Sequence, residues 1–241
     1  MDLRQTLRHR ASRGAPEQRF SLQLAWRSQA RRLVLFGPSG AGKSQTLKLI
    51  AGLAQPDAGH VRLAGQTLVD RRAGINLSPQ RRQLAYVFQD YALFPQLSVR
   101  QNIGFALHGG WRNPPRGFTH PALERWIDAF ELGAVQHQLP HQLSGGQRQR
   151  TALARALVHE PRALLLDEPF AALDRALRQR LRAELAELQT RLALPMLLIT
   201  HDEDDLRLLA DEVLHLQHGR LVQPTNDPSD GNQLGTPGAG L

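Results

Sequence analysis

The sequence predicts an α/β fold built on a mainly parallel sheet. Short unbroken apolar runs, Ala163–Leu166 and Met196–Ile199, have the length and composition of strands buried on both faces. Stretches with helical spacing separate such runs, as crossover-connected parallel strands require. A glycine-rich turn joins the apolar run Arg32–Phe36 to a helical pattern.

In chain order, Arg32–Phe36 reads as the first clear strand. In Ser44–Ala54, Leu47, Ile50, Leu53 and Ala54 fall on one helical face. His60–Leu63 and Leu84–Phe88 read as short strands bounded by turn or polar residues. His108–Phe118 holds Gly109, Gly110, Pro114, Pro115 and Gly117, a loop composition, and leads to a helical stretch near Pro121–Phe130. This break in the strand–helix rhythm predicts an inserted helical subdomain over about Asp90–Glu160. Leu173, Leu177, Leu181, Leu185, Leu188 and Leu192 then follow helical spacing until Pro195 stops the helix. Leu206, Leu209 and Ala210 support a short helix, and Val213–Leu216 a last strand. After Val222 the tail, with Pro224, Pro228, Gly231, Gly235, Pro237, Gly238 and Gly240, is expected to be disordered. The expected boundaries are a domain over 1–222 and a flexible tail over 223–241.

Composition excludes several classes. The 241 residues are 41% hydrophobic and 22% charged, enough for a sizeable core. With no cysteine there are no disulfides, thiolate metal sites or cysteine nucleophiles. The longest apolar stretches fall far below the roughly 20 residues of a membrane-spanning helix. Met1–Arg10 carries Arg4, Arg8 and Arg10 without a following apolar core, unlike a secretory signal. A cytoplasmic location is expected. The net charge of +8 fits either an anionic partner or a solvated basic surface. Aromatic residues, at 5%, form no base-stacking platform in a basic stretch.

The segment Gly37-Pro38-Ser39-Gly40-Ala41-Gly42-Lys43-Ser44 matches G-x-x-x-x-G-K-[ST] at every position. Glycines let the backbone turn so that its N–H groups point at phosphate oxygens, and the helix beginning near Lys43 adds its positive end. Lys43 is placed to reach the β- and γ-phosphates, and the Ser44 hydroxyl to ligate Mg²⁺. Leu164-Leu165-Leu166-Asp167-Glu168 puts two carboxylates at the end of a buried strand, where open parallel sheets bind ligands. Adjacent strand side chains point to opposite faces. This assigns Asp167 to Mg²⁺ and Glu168 to the attacking water as general base. Leu143-Ser144-Gly145-Gly146-Gln147 precedes another helix. Ser144 with Gln147 forms a capping box, but that leaves the two glycines unexplained, and a bare helix N-terminus is a second anion site.

Together these segments resemble the ATP-binding cassette family, over almost all of Arg31–Val222. The motifs are the phosphate loop, Gln89 in Val87-Phe88-Gln89-Asp90, the signature Leu143–Gln147, the strand Leu164–Glu168, Ala171-Ala172-Leu173-Asp174 and Thr200-His201-Asp202. The resemblance implies a P-loop NTPase, RecA-like core with an N-terminal antiparallel β subdomain and the helical insertion. It implies ATP and Mg²⁺ as ligands, with Gly37–Ser44 and the adjoining Gln45 in the binding segment. It implies Gln89 at Mg²⁺ or the attacking water and coupled to a membrane partner. Ser144, Gly145, Gly146 and Gln147 would meet the γ-phosphate of the opposite subunit, and Asp174 would lie across that interface. His201, by itself an ordinary loop residue, would contact the γ-phosphate. The expected partners are a second copy of the chain, transmembrane permease subunits and, through them, a substrate-binding protein, with no nucleic acid. Members usually stack an upstream aromatic residue on adenine; Arg13–Gln18 offers none, and His9 and Phe20 flank the gap. The stretches Tyr86–Asn102 and Pro195–Leu221 are most similar to ATPases of molybdate or sulfate importers. The alternative is a soluble ATPase of the same superfamily acting on nucleic acid or ribosomes, which the basic surface and Arg175, Arg178, Arg180 and Arg182 keep open.

Overall fold

The computed structural model describes residues 1–9, 18–109, 112–171 and 173–222. Its frame is one eleven-stranded sheet. Strands β1 (Asp2–His9) and β2 (Gln18–Ala25) pair antiparallel along their whole length. β3 (Arg32–Phe36) runs into α1 (Lys43–Ala51); β4 (Ala58–Leu63), β5 (Gln66–Asp70) and β6 (Ile75–Asn76) then form an antiparallel ribbon. After α2 (Pro79–Arg82) and β7 (Leu84–Val87) come the helices α3 (Val99–Gly104), α4 (Pro121–Ala129) and α5 (Gly145–Leu157). The remainder alternates β8 (Ala163–Asp167), α6 (Arg175–Leu192), β9 (Met196–Thr200), α7 (Glu203–Leu209), β10 (Glu212–Gln217) and β11 (Arg220–Val222).

The strand order is β6-β5-β4-β1-β2-β11-β10-β3-β9-β8-β7. β10, β3, β9, β8 and β7 are mutually parallel, the expected core. The antiparallel part is continuous with it, because β10 turns back through β11 to reach β2. β8 and β9 are buried at every position, the reason their sequence runs apolar without alternation. One core cluster packs Leu164, Leu166 and Leu198 against α5, α6 and the helical insertion; a second packs Leu35, Leu47, Leu165 and Ile199 with the antiparallel strands.

Charged side chains close the helix ends. The guanidinium of Arg82, 1% exposed, donates to the carbonyls of Leu49 and Ile50 at 2.7 Å each and to Leu77 O at 2.9 Å. It thereby satisfies the last turn of α1, and burial pulls its pKa down. In the insertion, Arg100 grips both oxygens of Glu124 at 2.6 Å, tying α3 to α4. Arg155 of α5 donates to the carbonyls of Tyr91 and Ala92 at 2.8 Å, fixing the turn after β7.

The strands and helices expected from spacing are present, with boundaries moved by caps. The long helix starts at Arg175 rather than Leu173, because Asp174 Oδ1 accepts from Leu177 N at 3.0 Å and caps it. The expected disordered tail and the stretch Arg13–Glu17 lie outside the described residues.

Candidate active site

The carboxyl ends of β3, β8 and β9 converge on the loop from Gly37 to Ser44. Glycine is required at two points of that loop. A Cβ on Gly37 would sit 2.1 Å from Leu216 O, and Gly42 has φ 103° with Phe20 Cζ 2.9 Å from where its Cβ would be. Pro38, Ser39 and Gly40 form the exposed rim, and Ala41 N closes the turn onto Pro38 O at 3.2 Å. The N-terminus of α1 carries no side-chain cap, so its first N–H groups are left for a ligand.

Lys43 is 4% exposed, yet its ammonium is well satisfied. Nζ donates to Gly37 O at 2.7 Å and Pro38 O at 3.0 Å, and lies 3.3 Å from Glu168 Oε1. The Ser44 hydroxyl donates to Asp167 Oδ1 at 2.9 Å, and the Tyr86 hydroxyl to Asp167 Oδ2 at 2.9 Å. Burial, together with the adjacent Asp167 carboxylate, pushes the Tyr86 phenol above its ordinary pKa, so it remains a donor. Glu168 Oε2 faces His201 Nδ1 at 3.1 Å. A small cavity of ≈ 40 Å³ opens among Glu168, Phe170, Thr200 and His201, room for a water molecule beside the carboxylate.

The two carboxylates diverge as expected, but strand alternation is not the cause. β8 ends at Asp167, and Glu168 has φ 45°, in the left-handed region. That backbone turn, unfavourable for a residue with a Cβ, swings Glu168 toward Lys43 and His201 while Asp167 stays on Ser44.

His201 is itself held by a buried ionic knot. Arg182, 4% exposed, donates through Nε to Asp205, pairs with Asp202 at 2.5 Å and lies 3.5 Å from Asp204. Thr200 Oγ1 donates to Asp205 and accepts from Asp202 N at 3.0 Å. Burial raises the Asp205 pKa against the opposing hydrogen bonds from Thr200 and Arg182. Neither this knot nor Tyr86 was found by reading the sequence. Arg182 and Asp205 are 23 residues apart and belong to no short motif.

The other expected residues are placed as follows. Gln45 lies in the first turn of α1, with Nε2 donating to Gln5 Oε1 at 2.8 Å rather than toward the loop rim. Gln89 is exposed two residues past β7, and its side chain makes no hydrogen bond among the described residues. Asp174 is exposed and caps α6. The N-terminus of α5 is not bare, which corrects that expectation. Ser144 N donates to Gln147 Oε1 at 2.9 Å and Gln147 N to Ser144 Oγ at 3.2 Å, a complete capping box. The adjacent glycines also have an internal reason. A Cβ on Gly145 would stand 3.1 Å from Leu173 Cδ2, and one on Gly146 3.2 Å from Leu177 Cδ1. They leave room for the Leu173 and Leu177 side chains against the first turn of α5. The Ser144 hydroxyl proton and the Gln147 amide NH₂ stay free to donate outward, since the box uses only their acceptor oxygens and backbone N–H groups.

Phe20 of β2 is the aromatic ring that abuts Gly42. Arg13–Glu17 and the side chain of His9 lie outside the described residues.

Residues 21–171 match the family model described as ABC transporter. The chain belongs to that family. A sulfate/thiosulfate import ATP-binding protein of Synechococcus elongatus is 43% identical over 191 residues, covering 79% of this chain and 53% of that protein. A spermidine/putrescine import ATP-binding protein of Nitratidesulfovibrio vulgaris is 41% identical over 191 residues, covering 79% and 50%. The chain thus spans about half the length of these curated relatives. The ATP-binding cassette MJ0796, in a dimeric post-hydrolysis state bound to ADP and Pi, superposes with a TM-score of 0.71 at 25% identity, covering 92% of this chain and 97% of that one. As an ABC transporter family member the chain is a nucleotide-binding P-loop domain. No helix among the described residues is long and apolar enough to cross a membrane.

Proposed function

We propose that the chain hydrolyses ATP to drive an ABC importer, as one of two copies docked on transmembrane permease subunits at the cytoplasmic membrane face. The observation that carries this reading is the linked set Ser44–Asp167 and Lys43–Glu168–His201 around an uncapped helix N-terminus. A Mg²⁺ ion suits the donors present: Mg²⁺ takes few protein ligands beside phosphate oxygens and water, and Ser44 Oγ and Asp167 supply that sparse oxygen set. When bound, it neutralises charge on the β- and γ-phosphate oxygens.

The chain's residues divide the remaining work. The loop N–H groups and the α1 terminus hold the phosphates, and Lys43 exchanges its carbonyl partners for phosphate oxygens. Glu168 accepts the proton of the attacking water at a carboxylate oxygen, and His201 orients that carboxylate through Nδ1. Gln89, exposed beside this end of the sheet, senses the site toward the permease. Ser144, Gly145, Gly146, Gln147 and Asp174 complete the partner copy's site in a head-to-tail dimer, with the free Ser144 O–H and Gln147 NH₂ aimed at its γ-phosphate.

The cargo reading is an oxyanion such as sulfate or molybdate, delivered by a substrate-binding protein. It is supported by the sulfate/thiosulfate import relative, although the spermidine/putrescine relative is nearly as similar. The test measures phosphate release by the chain and by Lys43→Ala, with permease-containing vesicles or with DNA and RNA. We expect stimulation by vesicles and loss of at least about 100-fold in Lys43→Ala. Stimulation by nucleic acid alone would favour the soluble-ATPase alternative, and Lys43→Ala turnover within a few-fold of the parent would remove the loop from the chemistry.

A further inference from the structure

A large cleft lies at the opposite end of the sheet from the phosphate loop. Its volume is ≈ 950 Å³, at the upper end of small-molecule sites. It opens between the turn after β2, the β4–β5 hairpin and the amino ends of β3, β8 and β9. Its floor is apolar: Leu33, Ile50, Leu165 and Leu197 are all buried. Its rim is cationic, with Arg27, Arg31 and Arg62 all exposed and lining it. Among the described residues no aspartate or glutamate lines the cleft. Among the described residues none of the three arginines forms an ion pair, whereas Arg32, Arg100, Arg150 and Arg182 all do. Two acids that border the same loops accept hydrogen bonds from backbone and hydroxyl donors: Asp70 from the N–H groups of Arg72 and Ala73, and Glu212 from the Ser28 hydroxyl at 2.6 Å.

We propose that this cleft binds an amphiphilic anion, an apolar body carrying one phosphate or carboxylate head. Three guanidinium groups over a low-dielectric floor focus positive potential at the mouth, and guanidinium pairs with an oxyanion through two parallel hydrogen bonds. Leu33, Ile50, Leu165 and Leu197 line the bottom of the cleft and give an apolar body a contact that a compact inorganic anion cannot use. Leu33, on the floor, is near the start of β3 and Gly37 directly follows its end, four residues on and roughly 13 Å at strand rise, so the cleft and the phosphate loop are separate places.

The test titrates the full chain with decyl phosphate as monomers, in the presence of saturating ADP to occupy the loop, by calorimetry. We expect saturable 1:1 binding that weakens with salt, with inorganic phosphate and decanol each at least about tenfold weaker. Arg27→Ala combined with Arg62→Ala, both on exposed side chains, should weaken it at least about tenfold without changing the melting temperature. Flotation with phosphatidylglycerol vesicles, lost in the double variant, would identify a lipid headgroup as the source of the anion; decyl phosphate binding without flotation would identify a soluble amphiphile. Absence of saturable binding, or unchanged affinity in a folded double variant, would overturn the proposal.

Discussion

Replacing Arg182 by Met tests whether the His201 loop is held electrostatically. The guanidinium is 4% exposed and Asp205 2% exposed, so the change strands a carboxylate that water cannot reach. Breaking one partner of a buried pair costs about 3–5 kcal/mol. In a domain of this size each kcal/mol lowers the melting temperature by about 2–4 °C, so Arg182→Met should melt roughly 6–20 °C below the parent at pH 7. The pH dependence has a defined sign. The Asp205 pKa is already raised by burial, and losing Arg182 raises it further. Its ionised form therefore costs stability above the folded pKa, and that cost vanishes as pH falls through it and the carboxyl is protonated. Scanning calorimetry from pH 8 to pH 4 should show the gap to the parent narrowing on the acid side. The double variant Arg182→Met with Asp205→Asn should recover most of the loss. A drop of under 2 °C at pH 7, or a gap independent of pH, would refute the reasoning.

Other expectations follow from single contacts. Gly37→Ala should cost about 1–3 kcal/mol or more in urea unfolding, because its Cβ meets backbone rather than a movable side chain; an unchanged midpoint would contradict that. Tyr86→Phe removes a hydrogen bond to the Asp167 carboxylate and should lose about 1.5–3 kcal/mol, read by the same method. The Glu124 carboxyl is held below its ordinary pKa by the hydrogen bond from Arg100. Its contribution is therefore complete above the ordinary glutamate value and is lost as pH falls through the lowered one. Melting curves of the parent and Glu124→Gln should converge in acid, and a constant separation would exclude the pair as the cause.

Much of this molecule was legible because its chemistry is local in sequence. The phosphate loop, Asp167–Glu168 and the α5 capping box are contiguous segments that motif spacing locates, although the left-handed turn that aims Glu168 could not be read from it. The buried strands β8 and β9 announce themselves because every side chain is covered. The antiparallel strands β1, β2, β5 and β11 were missed, although β2 alternates buried Leu22 and Leu24 with exposed Ser21 and Gln23; β5 and β11 are too short and mixed to show a period. What escaped was long-range. Tyr86 meets Asp167 across 81 residues, and Arg182 meets Asp205 across 23, on positions that look like solvated surface until the helices pack. The glycines at 145 and 146 suggested an approaching ligand; the approaching groups within one chain are Leu173 and Leu177, which the spacing of α5 and α6 could not reveal.

The most direct test of the account is the association state of Glu168→Gln, which keeps the phosphate loop but cannot deprotonate water. Light scattering on a sizing column, with saturating ATP and Mg²⁺ and then with ADP, separates the outcomes. A dimer with ATP that returns to monomer with ADP is the expected result. A monomer at saturating ATP would contradict the claim that two copies share each nucleotide.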